Sequence, residues 1–315
     1  NAQLGKGEWA VIESDESDGS FLKLPITYSI VTNLDKEHLD FYGSFERLKK
    51  SFCTFIEKTP SFGKSLICID DNNLKSLLPI CKTRNFLTYG FDRRSNYQIT
   101  NVRKKRDCSI FDLRLKFPSN KTSNINNVVV NLIGDHNITN ATASIAIALN
   151  LGVKVNKIKK ALKKFLGIQR RFTKVFTVAK REFYDDYAHH PTAIKATVAA
   201  VRQAFPDRRV VAVFQPHQVS RTEALLDDFA TSFQDADQVL LVPVFAAREI
   251  QADAAACLEK LGQAVQATGQ TVRLLESLDH VLATMHDSTS PGDICLTLGA
   301  GDIDRIPHEF ARNVS

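Results

Sequence analysis

Residues 182–222 read EFYDDYAHHPTAIKATVAAVRQAFPDRRVVAVFQPHQVSRT. A short apolar run, EFYDDY, gives way to a polar turn, then to a stretch of helix formers, TAIKATVAAVRQAF, and then to a second apolar run, RRVVAVFQ. Apolar runs of this length between polar turns are the pattern of strands buried on both faces, as in a parallel sheet. The alternation continues through helix TEALLDDFATSFQ, strand QVLLVPVF, a helix over 253–267, strand TVRLLE, a short helix and strand DICLTLGAG. It predicts an open, doubly wound sheet. The polar residues collect in DDYAHHP and QPHQVSRT, each directly after a strand, where such sheets bind ligands. Towards the start, WAVIE (9–13), YSIVT (28–32) and SLICID (65–70) read as further buried strands. Phe45, Leu48, Phe52, Phe55 and Ile56 recur at helical spacing behind a capping Ser44. Alternating polarity from about Asn85 to Leu132 predicts an antiparallel meander, followed by two helices ending near Leu166. The fold class is therefore α/β, with a β insertion in the first half.

The 315 residues suit two domains, and 43% hydrophobic with 24% charged residues is the mixture of a soluble globular protein. No apolar run approaches a membrane span and NAQLGKGEW is not a signal peptide, so the expected location is the cytoplasm. Cys53, Cys68, Cys81, Cys108, Cys257 and Cys295 show no metal-ligand spacing and read as reduced thiols. The net charge is +6, yet VRKKRD (102–107) and VNKIKKALKKF (155–165) lack interleaved aromatics, so they read as solvated surface and no nucleic-acid partner is expected. Lysine occurs 22 times up to Lys195 and once afterwards; asparagine occurs 16 times up to Asn156 and once afterwards. Exchange of lysine for arginine has no folding rationale, which suggests two joined genetic backgrounds or domain-specific drift. Met285 is the sole methionine, so Asn1 is not read as an initiator.

Several constellations could carry chemistry. ESDESDGSF (13–21) sets Glu13, Asp15, Glu16 and Asp18 directly after a predicted strand, and TNLDKEHLD (32–40) brings His38 with Asp35, Glu37 and Asp40 after the next. Together they could hold a hard cation such as Mg2+, or form solvated acidic loops. GDHNITNA (134–141) opens a helix, where Asn137 and Asn140 suit an adenine edge or ordinary capping. YDDYAHHPT (184–192) can hold a ribose, a cation or an amino group; its paired histidines point in different directions and HExxH spacing is absent. Arg170, Arg171 and Arg221 are forks for carboxylate or phosphate. The glycines of LGAGDI (298–303) imply close approach of backbone to a ligand or a neighbouring loop. SFGKS (61–65) is not a phosphate-binding loop, because Lys58 stands where GxxxxGKS needs glycine and a strand follows.

Taken in order, NAQLGKGEWAVIESDESDGSF, IVTNLDKEHLDFYGSFERLKKSF, GDHNITNA, GIQRRF, DDYAHHPT, FQPHQVSRT, FAARE and LGAGDI closely resemble the Mur ligases of peptidoglycan synthesis, in the branch that joins UDP-N-acetylmuramate to L-alanine. The resemblance covers essentially the whole chain. It implies a central ATPase domain, truncated at its N-terminus, over 1–168 and a C-terminal Rossmann-like domain over 169–315. It also implies ATP and Mg2+ as cofactors, UDP-N-acetylmuramate and L-alanine as partners, and an acyl phosphate between them. By resemblance, Glu13 and His38 would hold magnesium, with Glu16 the fallback for Glu13. His136, Asn137 and Asn140 would contact adenine, while Arg171 and Asp186 would meet the nucleotide's phosphate and ribose. Tyr187, His189, His190, His217 and Arg221 would face L-alanine and the acyl phosphate, with His38, His190 and Arg221 in catalytic roles. The two sets are expected to converge across an interdomain cleft. The family's GTHGKTT loop and sugar-binding domain would precede Asn1, so the chain is expected to be inactive alone. Gln218 stands where the family often has arginine, and a short segment after FAARE reads as deleted. The other readings are the ligase that attaches recycled tripeptide to the same sugar, and a non-catalytic nucleotide-binding remnant.

Overall fold

Two six-stranded sheets that share no strand carry the chain. The computed structural model describes residues 4–83, 85–117, 121–247, 249 and 254–314. Contacts divide the chain into one unit of residues 1–102, 111–128 and 139–160 and another of residues 103–110, 129–138 and 161–315.

In the first sheet the spatial order is β1 (Tyr28–Val31), β2 (Lys64–Cys68), β3 (Phe86–Gly90), β4 (Tyr97–Lys104), β5 (Ser109–Lys116) and β6 (Thr122–Val130). β1 to β4 pair in parallel, with Ile30 beside Leu66, Leu66 beside Leu87 and Tyr89 beside Tyr97. The meander expected from Asn85 therefore begins only at β4, because β3 joins the parallel part. Its helices are α1 (Leu39–Tyr42), α2 (Phe45–Glu57), α3 (Asn72–Leu77), α4 (Asp135–Asn150) and α5 (Val155–Lys164). Ser44 caps α2 as expected, its hydroxyl accepting from the Arg47 N–H at 3.3 Å, and the helix buries Leu48, Cys53 and Ile56. WAVIE is not a strand. Trp9 packs edge-on against Tyr28, with ring centroids 5.7 Å apart, while Val11 is 98% exposed. Among the described residues the run pairs with no neighbour, and apolar composition alone cannot make a strand without one.

The second unit contains β7 (Thr173–Val178), β8 (Arg181–Asp186), α6 (Pro191–Ala204), β9 (Val210–Phe214), α7 (Val219–Ala224), α8 (Leu226–Ala230), β10 (Gln238–Leu241), α9 (Ala254–Ala267), β11 (Val272–Leu274), α10 (Leu278–Ser288), β12 (Ile294–Leu298) and α11 (Arg305–Val314). The sheet runs β11-β10-β9-β12-β8-β7, parallel except for β7, an antiparallel edge strand the sequence pattern did not announce. Every residue of β9 is fully buried. Val210, Ala212 and Phe214 pack with Ile194, Val198 and Val201 on one face, while Val211 and Val213 meet Val281, Met285 and Ile306 on the other. That is the doubly wound arrangement, and it explains the continuous apolar runs. β12 inserts between β8 and β9, so the strand order reverses there and a crevice opens at their carboxyl ends. The single helix expected from TEALLDDFATSFQ is two short ones, because Leu225 (φ −118, ψ 24) breaks the helical path.

Candidate active-site residues

In the first unit the chain after β1 turns back on the acidic loop. His38 adopts a left-handed conformation (φ 55), and its carbonyl accepts from the N–H groups of Phe41 and Tyr42 to start α1. The Tyr42 hydroxyl donates to the Glu16 carbonyl at 2.5 Å, tying the loop to that helix. The result is a trio: one ligand atom each from Glu16, Glu37 and His38 lies within 4.8 Å of the others, and His38 Nε2 is 3.9 Å from Glu16 Oε1. Burial, together with the carboxylates of Glu37 and Asp15, pushes the Glu16 carboxyl above its ordinary value, against the pull of its own backbone hydrogen bond and His38. Two carboxylates and an imidazole at this spacing fit a divalent cation that keeps other positions for water or substrate oxygens. Glu13 is exposed and stands outside the trio, whereas Glu16 belongs to it. Asp15 and Asp18 accept from the N–H groups of Ser17 (2.7 Å) and Ser20 (2.9 Å), which shapes the loop.

In the second unit, side chains gather at the ends of β8 and β9. The ring of His189 lies 5.2 Å from Tyr187 and 5.9 Å from His217; His217 stacks on Phe245 at 5.5 Å, and Arg221 Nη1 is 3.5 Å from His217 Nδ1. Burial and the Arg221 guanidinium hold the His217 imidazole below its ordinary value, which keeps it neutral at pH 7. Arg170 and Arg171 sit over the Tyr187 ring at 5.1 and 5.7 Å. Their roles differ: Arg170 also meets Asp185 (3.2 Å), the Gly299 carbonyl (2.8 Å) and Asp304 (3.4 Å), whereas Arg171 is exposed.

Other expected residues lie apart from these rings or are engaged by the backbone. His190 is 9% exposed and caps α6, its ring accepting from the Thr192 N–H at 3.4 Å. Asp186 is 5% exposed, and its oxygens accept from the N–H groups of Ala188 (2.8 Å) and Phe172 (2.7 Å). Burial nevertheless raises its carboxyl to about 6. At the start of α4, Asn137 Nδ2 donates to the Ile133 carbonyl at 2.8 Å and lies 3.0 Å from His136 Nε2. His136 is exposed there, as is Asn140 further along the helix.

Two residues escaped the sequence reading. Gln215, 3% exposed, donates to Asp302 (2.8 Å) and accepts from the Ile303 N–H (3.2 Å). A Cβ at Gly301 would fall 2.3 Å from its Oε1, so the close approach read from LGAGDI is to this neighbour. Glu249 accepts from the Val219 N–H at 2.5 Å and from the Ser220 hydroxyl, which fixes the first turn of the helix carrying Arg221. Only the FAARE resemblance hinted at it, since its partners lie some thirty residues away in sequence. Arg248, and residues 251–253 where a deletion was read, lie outside the described residues. A cavity of about 450 Å³ opens beside this cluster, with Phe245, Glu249, Gln215, Asp302 and Arg305 in its wall.

Comparison with known proteins identifies the family to which these two units belong. The Mur ligase middle domain matches residues 3–148, and the Mur ligase glutamate ligase domain matches residues 170–301. The chain is 50% identical over 249 residues to UDP-N-acetylmuramate--L-alanine ligase of Pelagibacter ubique, covering 79% of this chain and 54% of that protein. It is 41% identical over 305 residues to the enzyme of the same name from Agrobacterium fabrum, covering 96% and 64%. The crystal structure of UDP-N-acetylmuramate-alanine ligase from Thermotoga maritima shares the fold, with a TM-score of 0.75 at 24% identity, over 95% of this chain and 62% of that one. The chain thus spans between about half and two thirds of the length of these relatives, and it belongs to the Mur ligase family.

Proposed function

We propose that this chain supplies the metal-binding and amino-acid-facing parts of an ATP-dependent ligase that joins the lactyl carboxylate of UDP-N-acetylmuramate to L-alanine in peptidoglycan synthesis. The observation that carries this reading is the Glu16–Glu37–His38 trio, in a chain 41% identical to a relative of that name. In the first step a carboxylate oxygen bonds to the γ-phosphorus of ATP as the bond to the β-phosphate oxygen breaks, releasing ADP. The alanine amine then bonds to the acyl carbon, and phosphate leaves with the electron pair of the broken C–O bond. Both reactants of the first step are anions, so a magnesium ion held by Glu16, Glu37 and His38 would offset their repulsion. In this reading Arg221 would pair with the alanine carboxylate and Arg171 with a phosphate. His217, neutral at pH 7, can take the proton that the alanine ammonium must lose before it attacks. His136, Asn137 and Asn140 remain the proposed adenine contacts. His190 and Asp186 act in this reading by shaping the turn after β8, and Tyr187 and His189 by lining it.

Among the described residues no helix is long and apolar enough to cross a membrane, and a reaction using ATP and a UDP-sugar belongs in the cytoplasm. The 315 residues contain no GxxxxGK[ST] sequence to cradle the β and γ phosphates, so the chain alone is expected to form no amide. Amide formation by it would overturn that expectation. Titration with Mn2+, followed by electron paramagnetic resonance, tests the metal site: His38→Ala and Glu16→Gln should each weaken binding at least tenfold, a loss of about 1.4 kcal/mol or more. Equal affinity in both variants would remove the trio from the reaction. Fusion to the part of the Agrobacterium fabrum relative that this chain does not match should restore phosphate release that depends on UDP-N-acetylmuramate and L-alanine. Dependence on tripeptide instead would reassign the substrate.

A further inference from the structure

Cys53 and Cys81 are 28 residues apart in sequence, yet their sulfur atoms lie 3.0 Å apart. Cys53 is on the buried side of α2, and Cys81 follows α3, where its N–H donates to the Leu77 carbonyl at 3.1 Å. The two segments are held together beside this contact as well, since the Lys82 N–H donates to Glu57 Oε1 at 2.6 Å. A disulfide places its sulfurs about 2.05 Å apart, so closure asks for a movement of about 1 Å, within reach of small changes in side-chain torsion. Neither thiol has a part in the proposed ligase chemistry. The remaining cysteines are differently situated: Cys68, Cys257 and Cys295 are buried, with burial pushing the thiols of Cys68 and Cys295 up to about 11 and about 12, and Cys108 is half-buried.

We propose that Cys53 and Cys81 form an oxidative modification site, a paired dithiol that hydrogen peroxide closes to a disulfide. Cys53 is 8% exposed and Cys81 only 1%, so a small oxidant reaches Cys53 first. The Cys53 sulfur, having lost its proton, attacks one peroxide oxygen; the O–O bond breaks, leaving a sulfenic acid on Cys53 and one water. The Cys81 sulfur then loses its proton and attacks the Cys53 sulfur, and the hydroxyl leaves as a second water. Two thiols are oxidised by two electrons and one peroxide is reduced to two waters. The product ties α2 to the segment after α3, which lowers the entropy of the unfolded chain.

The test treats the purified chain with a small excess of peroxide, quenches it, denatures it and alkylates the remaining thiols. Untreated protein should take up six alkyl groups and treated protein four, with the missing two mapped by peptide mass to a Cys53–Cys81 crosslink. Dithiothreitol should restore six, and the oxidised form should melt several degrees higher. In Cys81→Ser, Cys53 should accumulate as a sulfenic acid that dimedone traps. Retention of six thiols, a crosslink at any other pair, or loss of two thiols in Cys81→Ser would overturn the proposal. Should that variant fail to fold, the crosslink map of the unsubstituted protein decides alone.

Discussion

Asp186 shows how a carboxylate can be recruited by the backbone and still titrate unusually. Its oxygens accept from the N–H groups of Phe172 and Ala188, which favours the ionised form, but burial outweighs them and lifts the carboxyl to about 6. In the unfolded chain the same group titrates near 4. Between those values the folded protein binds more protons than the unfolded one, so this residue's contribution to stability falls as pH rises from about 4 to about 6, by about 3 kcal/mol. Carbon NMR of the Asp186 carboxyl should give a midpoint near pH 6; a midpoint below about 4.5 would show that water reaches the side chain. The chemical identity of such residues was legible in DDYAHHPT, because two aspartates, two histidines and a tyrosine at a strand end are an uncommon concentration of donors and acceptors. Their division of labour was not. Nothing in the one-dimensional pattern separates His189, which faces His217, from His190, which caps α6. Adjacent residues diverge at a turn, and the turn's dihedral angles decide which of them lines the crevice.

At the scale of elements, α7 is six residues long and could not persist by helix propensity alone. Glu249 accepts from the N–H groups of Val219 and Ser220 (3.4 Å for the latter), supplying the acceptor that Gln218, with its φ of 69, does not. Glu249→Ala should cost about 1 kcal/mol, as loss of a helix cap does, and hydrogen exchange at Val219 and Ser220 should quicken about fivefold. Unchanged exchange would show that the clamp holds nothing. The same dependence on distant partners explains which elements were readable. β9, β10 and β12 announced themselves because a strand covered on both faces must be apolar throughout. β7 did not, since it is an edge strand with half-exposed residues that pairs antiparallel with β8. WAVIE failed in the other direction: its apolar residues satisfy the pattern of a strand, but pairing is a property of two segments, and among the described residues none forms a strand ladder with it.

Across the whole molecule, the change from lysine to arginine does not follow the division into units. Lys174, Lys180 and Lys195 belong to the second unit, as do most of the arginines. The two compositions meet at one carboxylate. Glu182, 6% exposed, accepts from Lys174 (2.8 Å), Arg208 and the Tyr184 hydroxyl (2.8 Å), and pairs with Arg106. Burial alone would raise its carboxyl, but Lys174, Arg208 and Tyr184 overcome that and hold it down at about 2. A group depressed in the folded state contributes stability that is complete above its unfolded value, near 4.3, and is lost as pH falls towards 2. Removing the charge would take the charged acceptor from the half-buried Arg208 and leave it close to Lys174 and Arg106, which both reach solvent, so Glu182→Gln should destabilise the second unit by about 1–2 kcal/mol. The chain has one tryptophan, Trp9, and it lies against Tyr28 in the first unit. Its fluorescence therefore reports that unit, while far-ultraviolet circular dichroism reports both. Glu182→Gln should lower the circular dichroism midpoint and leave the Trp9 midpoint within a degree, whereas Mn2+, by binding the folded first unit, should raise the Trp9 midpoint selectively. If both probes instead moved together under either perturbation, the two sheets would unfold as a single cooperative body, and the energetics of each site would have to be read on the chain as a whole.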